Sequence, residues 1–514
     1  MLASLAARLR VYVAAHASAL VVGLFSLVVL ATRLFTAWTD LGVLWPDEVY
    51  QSIEQGHRFA FGYGLVPWEF RDGARSWLFP GVLGVLLKIA AWLGASSGAA
   101  LVHVAKSFMA VLAAASTVAA MKIADRRAGL AASALTGAFM VVFPPAVVFG
   151  SRCLSEMASA PLVAVSALLL TLARSGSGGD GGGGDRDAKS ETRRAALSGL
   201  AIGLAVFCRY QNGLFVVVFL VGLAAARRWK GAAAFTLATL ATGIAGGVLD
   251  WITWGKPFAS FLLYFRFSVL EGRASGWGTE PFTYYARVLF TSTGWPIVVL
   301  AVGALVATKR APVVAFAAIV YFVAHSFVPH KELRFLLPVV PLFLAAGAIG
   351  VVAVATHPRA GGWLSRRDAR APWLGVASLA IAMTIAMGWA LPRESFGAIG
   401  STPAFRDRSV WHAFEIPTRA LFRAGQRGDL CGVVLSPEAD WGYTFGYTAL
   451  HRDVPFFRDL DAVALASANY VIAPRGARVP TSFAQVEDVD TFALYRREGA
   501  CAPPPSGYSR RLER

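Results

Sequence analysis

The chain has 514 residues, 56% apolar and only 15% charged. A soluble globular protein carries about 25% charged residues, so the composition excludes a soluble, disordered or nucleic-acid-binding chain. The net charge of +17, from 48 Lys and Arg against 31 Asp and Glu, reads instead as the cytoplasmic-loop bias of a multi-pass protein embedded in a lipid bilayer.

Stretches of about 20 apolar residues can cross the hydrocarbon layer. In chain order they fall near 17–37, 101–123, 129–149, 157–174, 195–208, 212–226, 231–252, 286–307, 312–328, 336–356 and 373–391, which predicts eleven crossings. The pair at 195–208 and 212–226 is short and reads either as two crossings or as one broken pair. Basic residues orient the set. Arg8 and Arg10, Asp125-Arg126-Arg127, Arg174 to Arg194, Arg227-Arg228-Trp229-Lys230, Lys309-Arg310 and Arg359 to Arg370 all fall on one side under this count, the cytoplasmic side by the positive-inside rule. Residues 78–94 are apolar enough to cross, but counting them would reverse every later basic loop. They are expected to form an interfacial or re-entrant helix on the outer face. The first apolar run is expected to be an uncleaved anchor, and the Gly- and Asp-rich stretch 175–194 a flexible cytoplasmic linker.

An all-α membrane domain over 1–391, with 38–100 as an outer loop, therefore precedes a tail of different character, 392–514. Leu430 to Leu435, Tyr470 to Ala473 and Thr491 to Tyr495 read as short strands between Pro and Gly turns, which predicts a small outward-facing α/β domain. Cys431 and Cys501 flank those strands and on an oxidising face either pair or remain thiols. Cys153 and Cys208 lie in or beside spans and read as packing residues.

Ionisable residues at a membrane boundary mark candidate sites. The first group is Trp45-Pro46-Asp47-Glu48-Val49-Tyr50-Gln51. Pro followed by two acids is a natural helix start; alternatively it holds a general base or a metal ligand at the water–lipid boundary. His57-Arg58, Trp68-Glu69-Phe70-Arg71-Asp72 and Arg75-Ser76-Trp77 follow in the same loop, a density of charge and Trp that points to a folded, functional loop. Arg152 and Glu156 open the fourth span and Arg209 separates the two short ones; each reads as a substrate contact or a structural ion pair. The outer segment from Asp250 to Tyr285 is rich in aromatic residues. Last comes His330-Lys331-Glu332-Leu333-Arg334-Phe335. His330 and Arg334, four apart, are expected on one helix face beside Lys331. Three cationic donors at an outer boundary suit a phosphate better than snorkelling at a span end, because this is the side the positive-inside rule disfavours.

In order, Pro46-Asp47-Glu48, Gln51-Ser52, Phe61-Gly62-Tyr63-Gly64, Trp68-Glu69, Arg75-Ser76, Arg152-Cys153-Leu154-Ser155-Glu156, Arg209, Asp250, Trp254-Gly255-Lys256, Gly278-Thr279-Glu280-Pro281 and His330 to Phe335 resemble the GPI-anchor and N-glycan α-mannosyltransferases. These are polytopic GT-C enzymes that use dolichyl-phosphate-mannose. The resemblance covers about 38–345; Glu280 and Trp77 depart from the usual form of the GPI transferases, which carry His and Tyr there. It implies a GT-C-like fold, Asp47 as general base with Glu48 as its neighbour, and His330, Lys331 and Arg334 on the donor phosphate. Arg75, Arg152, Glu156, Arg209 and Asp250 are then further candidates for substrate binding.

The chemistry asks for the same parts. Glycosyl transfer passes through an oxocarbenium-like state, and a lipid phosphate leaves as a weakly basic anion, so no general acid is needed. One carboxylate takes the acceptor proton while cations stabilise the charge gathering on phosphate. The expected partners are a polyprenyl-phosphate sugar, mannose by resemblance, and a glycolipid or glycan hydroxyl. No cofactor is expected. No CxxC or HExxH spacing occurs, and a divalent ion at Asp47-Glu48 is compatible with the reaction but not required by it. The competing readings are another sugar on the same carrier (glucose or an aminoarabinose type), a lipid-handling or transport protein, and a binding protein whose function lies in the tail. No internal repeat of the transporter kind is seen. The Ala-, Gly- and Arg-rich composition suggests a bacterial plasma membrane with the site on the outer face, the alternative being the endoplasmic reticulum with a lumenal site.

Overall fold

The computed structural model describes residues 2–172, 184–357, 371–400 and 405–512. The first part of the expected linker, 173–183, and the basic run 359–370 lie outside these residues. Six helices among the described residues are long and apolar enough to cross a membrane: His16–Thr39, Gly98–Val142, Ser155–Leu172, Trp229–Trp254, Leu333–Ala355 and Trp373–Arg393.

The remaining expected crossings are shorter or broken, for local reasons. Helix α1 is Leu2–Thr39, and α2 (Glu54–Phe61) and α3 (Leu78–Trp92) follow in the outer loop. Helix α4, Gly98–Val142, contains both the second and third expected crossings, broken at Gly129, whose φ of 78° only glycine adopts freely. Its two arms run antiparallel along α1. Ser18 donates to Asp125 at 2.7 Å near one end of α1, whereas Trp38 donates to Ser107 at 3.1 Å and Arg33 to the Met140 carbonyl at 2.8 Å near the other. Helix α5 is Ser155–Leu172. Helix α6, Gly184–Cys208, starts inside the stretch expected to be flexible, because Ala, Lys, Glu and Arg from residue 186 onward favour helix over the Gly run before them. A 3₁₀ turn at Tyr210–Asn212 separates it from α7 (Gly213–Ala225). Helix α8 is Trp229–Trp254. The span expected at 286–307 is cut by Gly294 and Pro296 into α9 (Tyr284–Thr293) and α10 (Pro296–Ala307). Helix α11 is Pro312–Phe327, α12 is Val340–Ala355 and α13 is Ala371–Ala390.

The segment 78–94 is two-faced. Phe79, Leu83 and Leu87 of α3 are buried, while Val82, Val85, Ile89 and Trp92 are exposed. Its buried face packs on α2 through a glycine contact: a Cβ at Gly84 would lie 2.8 Å from the Gly56 carbonyl oxygen. An apolar stripe opposite a packed face is what a helix lying in the interface requires.

The tail carries a five-stranded sheet of β1 (Val433–Leu435), β2 (Phe456–Phe457), β3 (Tyr470–Pro474), β4 (Ala484–Val489) and β5 (Phe492–Arg496), in the order β2-β1-β3-β5-β4. Strand β1 is parallel to β2 and β3, and β5 is antiparallel to β3 and β4. Strands β2 and β4 were not expected; they are the two edges, one only two residues long and the other mostly exposed, so neither carries a core pattern. Cys431 and Cys501 form a disulfide across 70 residues.

This tail is fastened to the outer loop. The buried Glu54 carboxylate of α2 accepts from the Leu65, Tyr447 and Thr448 amides at 2.9–3.1 Å and from the Thr448 hydroxyl at 2.7 Å. Such bonds to a charged group contribute about 1.5–3 kcal/mol each. Tyr50 donates to the Trp441 carbonyl, His57 pairs with His451 at 3.0 Å, and Val66 pairs with Arg510 and Leu512. The loop from 40 to 77 is therefore held between helices and tail in one continuous hydrophobic core.

Candidate active site

Trp45 is extended and Pro46 starts a single helical turn, Pro46–Glu48, continued by a π turn, Val49–Ile53, and then α2. Successive residues on that turn point about 100° apart, and this divides the acidic pair. Glu48 faces inward. One of its oxygens accepts the Leu44 amide at 2.5 Å and the Arg152 guanidinium at 3.3 Å. Arg152 also meets Asp40 at 3.1 Å and the Gly42 carbonyl at 2.7 Å, and Lys106 donates to the Asp40 carbonyl. Glu48 and Arg152 thus belong to a closed, buried network that fixes the shape of the 40–48 turn. This departs from the expectation for both: neither presents a free polar edge to the space beside Asp47.

Asp47 faces the other way. Its side chain is 29% accessible against 3% for Glu48, and Oδ2 lies 2.5 Å from Nη2 of Arg334. Here the expected geometry needs correction. The stretch 330–334 is not an α-helix: Glu332 is extended at φ −138°, and a 3₁₀ helix begins only at Leu333, with Pro338 inside it and Pro341 at the start of α12. His330 and Arg334 share no helix face and are joined by the carboxylate between them. Glu332 accepts from His330 Nε2 at 3.1 Å and from Arg334 Nε. Burial alone would raise the Glu332 pKa, but Arg334 and His330 outweigh it and hold it near 2. Burial lowers the His330 pKa, and its bonds to Glu332 and the Gly278 carbonyl reverse the shift to a net rise. Both ring nitrogens are therefore in use. Lys331 turns to the Glu280 carbonyl at 2.6 Å.

Behind Arg334, Glu156 at the start of α5 bridges two guanidinium groups, Arg209 at 3.4 Å and Arg334 at 3.8 Å. Arg209 lies in the break between α6 and α7, its guanidinium 4.8 Å from the Phe335 ring centre. Its Nε and Nη1 are buried and have no hydrogen-bond partner among the described residues. Two orphaned cationic donors in a buried site are costly unless something accepts from them.

Two neighbours complete the rim. Glu69 accepts from Gln51 at 2.8 Å; burial, then the negative charge of Asp47, pushes its pKa up to about 7. Arg75 sits 5.5 Å over the Tyr264 ring and its charge reaches Glu69. Asp250 stands apart, accepting from the Ser260 amide and hydroxyl at 2.9 and 2.6 Å, and Ser260 meets the Tyr210 hydroxyl at 2.5 Å. Through Ser260 it is linked to Tyr210 in the turn after Arg209, and its second oxygen is buried without a hydrogen-bond partner among the described residues.

Of the expected residues, Asp47, Arg334, Glu156 and Arg209 come together, with Arg75 close by. Glu48 and Arg152 are tied into the turn beneath, Asp250 is bonded through one carboxylate oxygen to Ser260, and His330 and Lys331 are held by other partners. Glu332 and Glu69 were not among the site candidates, although both lie inside the runs that were singled out. Among the described residues one group could geometrically hold a metal ion, Asp40, His412 and Glu415. Arg152, Arg419 and backbone amides already engage its carboxylates, and it lies on the Arg152 side of the turn.

A model of the Alg9-like mannosyltransferase family matches residues 24–395. GPI mannosyltransferase 3 of Yarrowia lipolytica is 30% identical over 335 residues, 62% of this chain and 61% of the relative. GPI alpha-1,2-mannosyltransferase 3 of Danio rerio is 24% identical, over 58% and 53% of the two chains. The chain thus covers between about half and three-fifths of these two relatives. In structure it resembles ArnT from Cupriavidus metallidurans bound to undecaprenyl phosphate, at a TM-score of 0.62 and 14% identity over 94% of this chain and 99% of that one. It also resembles the archaeal oligosaccharyltransferase AglB from Archaeoglobus fulgidus in complex with an inhibitory peptide and a dolichol-phosphate, at 0.57 and 12% over 90% and 70%. At these identities the likeness is one of fold, and it agrees with the GT-C-like architecture expected from the sequence.

Proposed function

The chain belongs to the Alg9-like mannosyltransferase family, and on that premise we propose that it transfers mannose from a polyprenyl-phosphate-mannose to a hydroxyl of a glycolipid or glycan, with Asp47 as general base. The observation that carries this reading is the pairing of Asp47 with Arg334 in front of Arg209, whose two buried donors have no partner. A phosphodiester entering the site supplies acceptors for Arg209 and draws Arg334 off Asp47. The exchange frees the carboxylate when the donor is bound. Asp47 then takes the acceptor proton as the acceptor oxygen bonds to the anomeric carbon from the face opposite phosphate. The carbon–oxygen bond to phosphate breaks, and the lipid phosphate leaves as an anion held by Arg209 and Arg334. The anomeric configuration inverts.

His330 acts through Glu332 to set the Arg334 guanidinium, and Lys331 adds positive charge at the rim. Glu69 and Gln51, beside the base, are placed to hold sugar or acceptor hydroxyls. The outer segment after α8 presents exposed Phe261, Leu262, Phe265, Val269 and Leu270 near Tyr264 and Arg75, an apolar surface suited to a polyprenyl chain. No step in this scheme calls for a cofactor. The protein is a multi-pass membrane protein. Its curated relatives named above are eukaryotic and favour the endoplasmic reticulum, with a lumenal site, over the bacterial membrane suggested by composition.

The test is donor scope. Purified protein in nanodiscs is given polyprenyl-phosphate-mannose, -glucose or -aminoarabinose, labelled in the sugar, with an extract of membrane glycolipids. Label entering product from the mannose donor alone, in α linkage, is the expected result. Transfer from another donor in preference to mannose would overturn the sugar assignment, and transfer from none would overturn the reaction.

A further inference from the structure

The C-terminal end of α9, the entry to α10 and the C-terminal half of α13 enclose a cleft of about 720 Å³ whose lining includes Thr293, Trp295, Ile385, Trp389, Arg393 and Glu394. Most of the lining is apolar: Ala382, Ile385, Ala386, Trp389 and Ala390 come from α13, and Trp295 with Pro296 from the entry to α10. Into this apolar setting the chain places two buried polar atoms without a hydrogen-bond partner among the described residues, one on Glu394 and one on Thr293. Glu394 is 2% exposed; its Oε1 accepts from Ser292 at 2.9 Å, and its Oε2 has no hydrogen-bond partner among the described residues. Thr293 is 1% exposed and among the described residues its hydroxyl also has none. A buried carboxyl oxygen and a buried hydroxyl left unpaired are each costly unless a ligand bonds to them. Arg393, the next residue along, stands at the exposed mouth. It donates one bond to the Trp389 carbonyl at 2.7 Å and lies 4.1 Å from the Trp389 ring centre, so the rest of its fork faces outward.

We propose that this cleft is a binding site for a phospholipid whose headgroup carries both a primary amine and a phosphodiester. The ammonium donates to Glu394 and Thr293, the phosphate oxygens meet Arg393, and the acyl chains run along Trp295, Ile385 and Trp389. The occupant follows from charge complementarity: a buried acceptor and an exposed cation stand side by side, in the order that a phosphoethanolamine headgroup entering amine-first would meet. Burial, opposed by the Ser292 bond, pushes the Glu394 pKa up to about 8, so an arriving ammonium forms its ion pair as the carboxyl proton is released to solvent. The site goes beyond the transferase reading and shares no side chain with it.

The test is native mass spectrometry of the delipidated full chain in detergent, offered equimolar dioleoyl phosphatidylethanolamine, its N-methyl and N,N-dimethyl forms, phosphatidylcholine and phosphatidylglycerol. Removing the N–H donors one by one should lower retention stepwise, with ethanolamine held on the order of tenfold or more over choline and glycerol headgroups. Glu394→Gln should reduce that preference to within about twofold at an unchanged melting temperature. The methylation series needs no variant, so it stands even if Glu394→Gln fails to fold. Equal retention across the series, or an ethanolamine preference that survives Glu394→Gln, would overturn the proposal.

Discussion

Glu69 gives the site a pH signature of calculable sign. In the folded chain it keeps its proton to about pH 7, against 4.5 for an ordinary glutamate, because it is buried and because Asp47 lies beside it. Unfolded, it ionises near its ordinary value. Between these two pH values the folded state binds more protons than the unfolded state, so raising the pH through this window lowers stability. The full cost, reached above pH 7, corresponds to about 3 kcal/mol for the step from 4.5 to about 7. Glu69→Gln keeps the acceptor for Gln51 and cannot ionise. Relative to wild type it should therefore be neutral at pH 4.5 and below and stabilised by up to about 3 kcal/mol at pH 8.5. Melting of both proteins in detergent at pH 4.5, 6.5 and 8.5, followed by tryptophan fluorescence, reads the difference. Asp47→Asn removes the second cause of the shift and should shrink the effect without abolishing it. A wild type–variant gap that does not change with pH, or that grows toward low pH, would refute the placement of Glu69 against Asp47.

Two further outcomes separate framework from chemistry. Glu48→Ala should cost about 3–5 kcal/mol of stability by stranding Arg152, seen as a lowered melting temperature, while the protein that remains folded turns over at near wild-type rate; a stable but inactive variant would move Glu48 back into the reaction. Arg209→Ala should weaken donor binding roughly 10- to 150-fold, the worth of one or two bonds to a charged group, in titrations with a non-transferable lipid phosphate; unchanged affinity would remove Arg209 from the phosphate site.

What the sequence made legible follows from which signals act locally. The apolar helices were readable because a run of twenty apolar residues is a feature of one stretch of chain, and the reversal at Gly129 follows the basic run Asp125-Arg126-Arg127 that was read as a turn between two crossings. The fragmentation at Gly294-Pro296 and the 3₁₀ entry before α12 were written in the same prolines and glycines, but hydropathy windows average over them. The site was half legible. Asp47 and Arg334 lie in runs whose character is local. Which of two adjacent acids faces Arg152, 104 residues away, is set by tertiary packing, as is the burial that lifts Glu69. The helix-face argument for His330 and Arg334 failed because it assumed a helix where Glu332, paired to both, holds the chain extended. Glu394 gave no sequence signal: a glutamate after a span end looks solvated until the cleft is seen around it.

The decisive measurement is single-turnover mannose transfer by Asp47→Asn, with binding of the donor titrated in the same preparation. Loss of the base should slow transfer on the order of 10²- to 10⁴-fold, while donor affinity is held or improved because Arg334 no longer has to leave a carboxylate. Transfer within about tenfold of wild type, or a loss of donor binding that accounts for the whole loss of rate, would contradict Asp47 as the base.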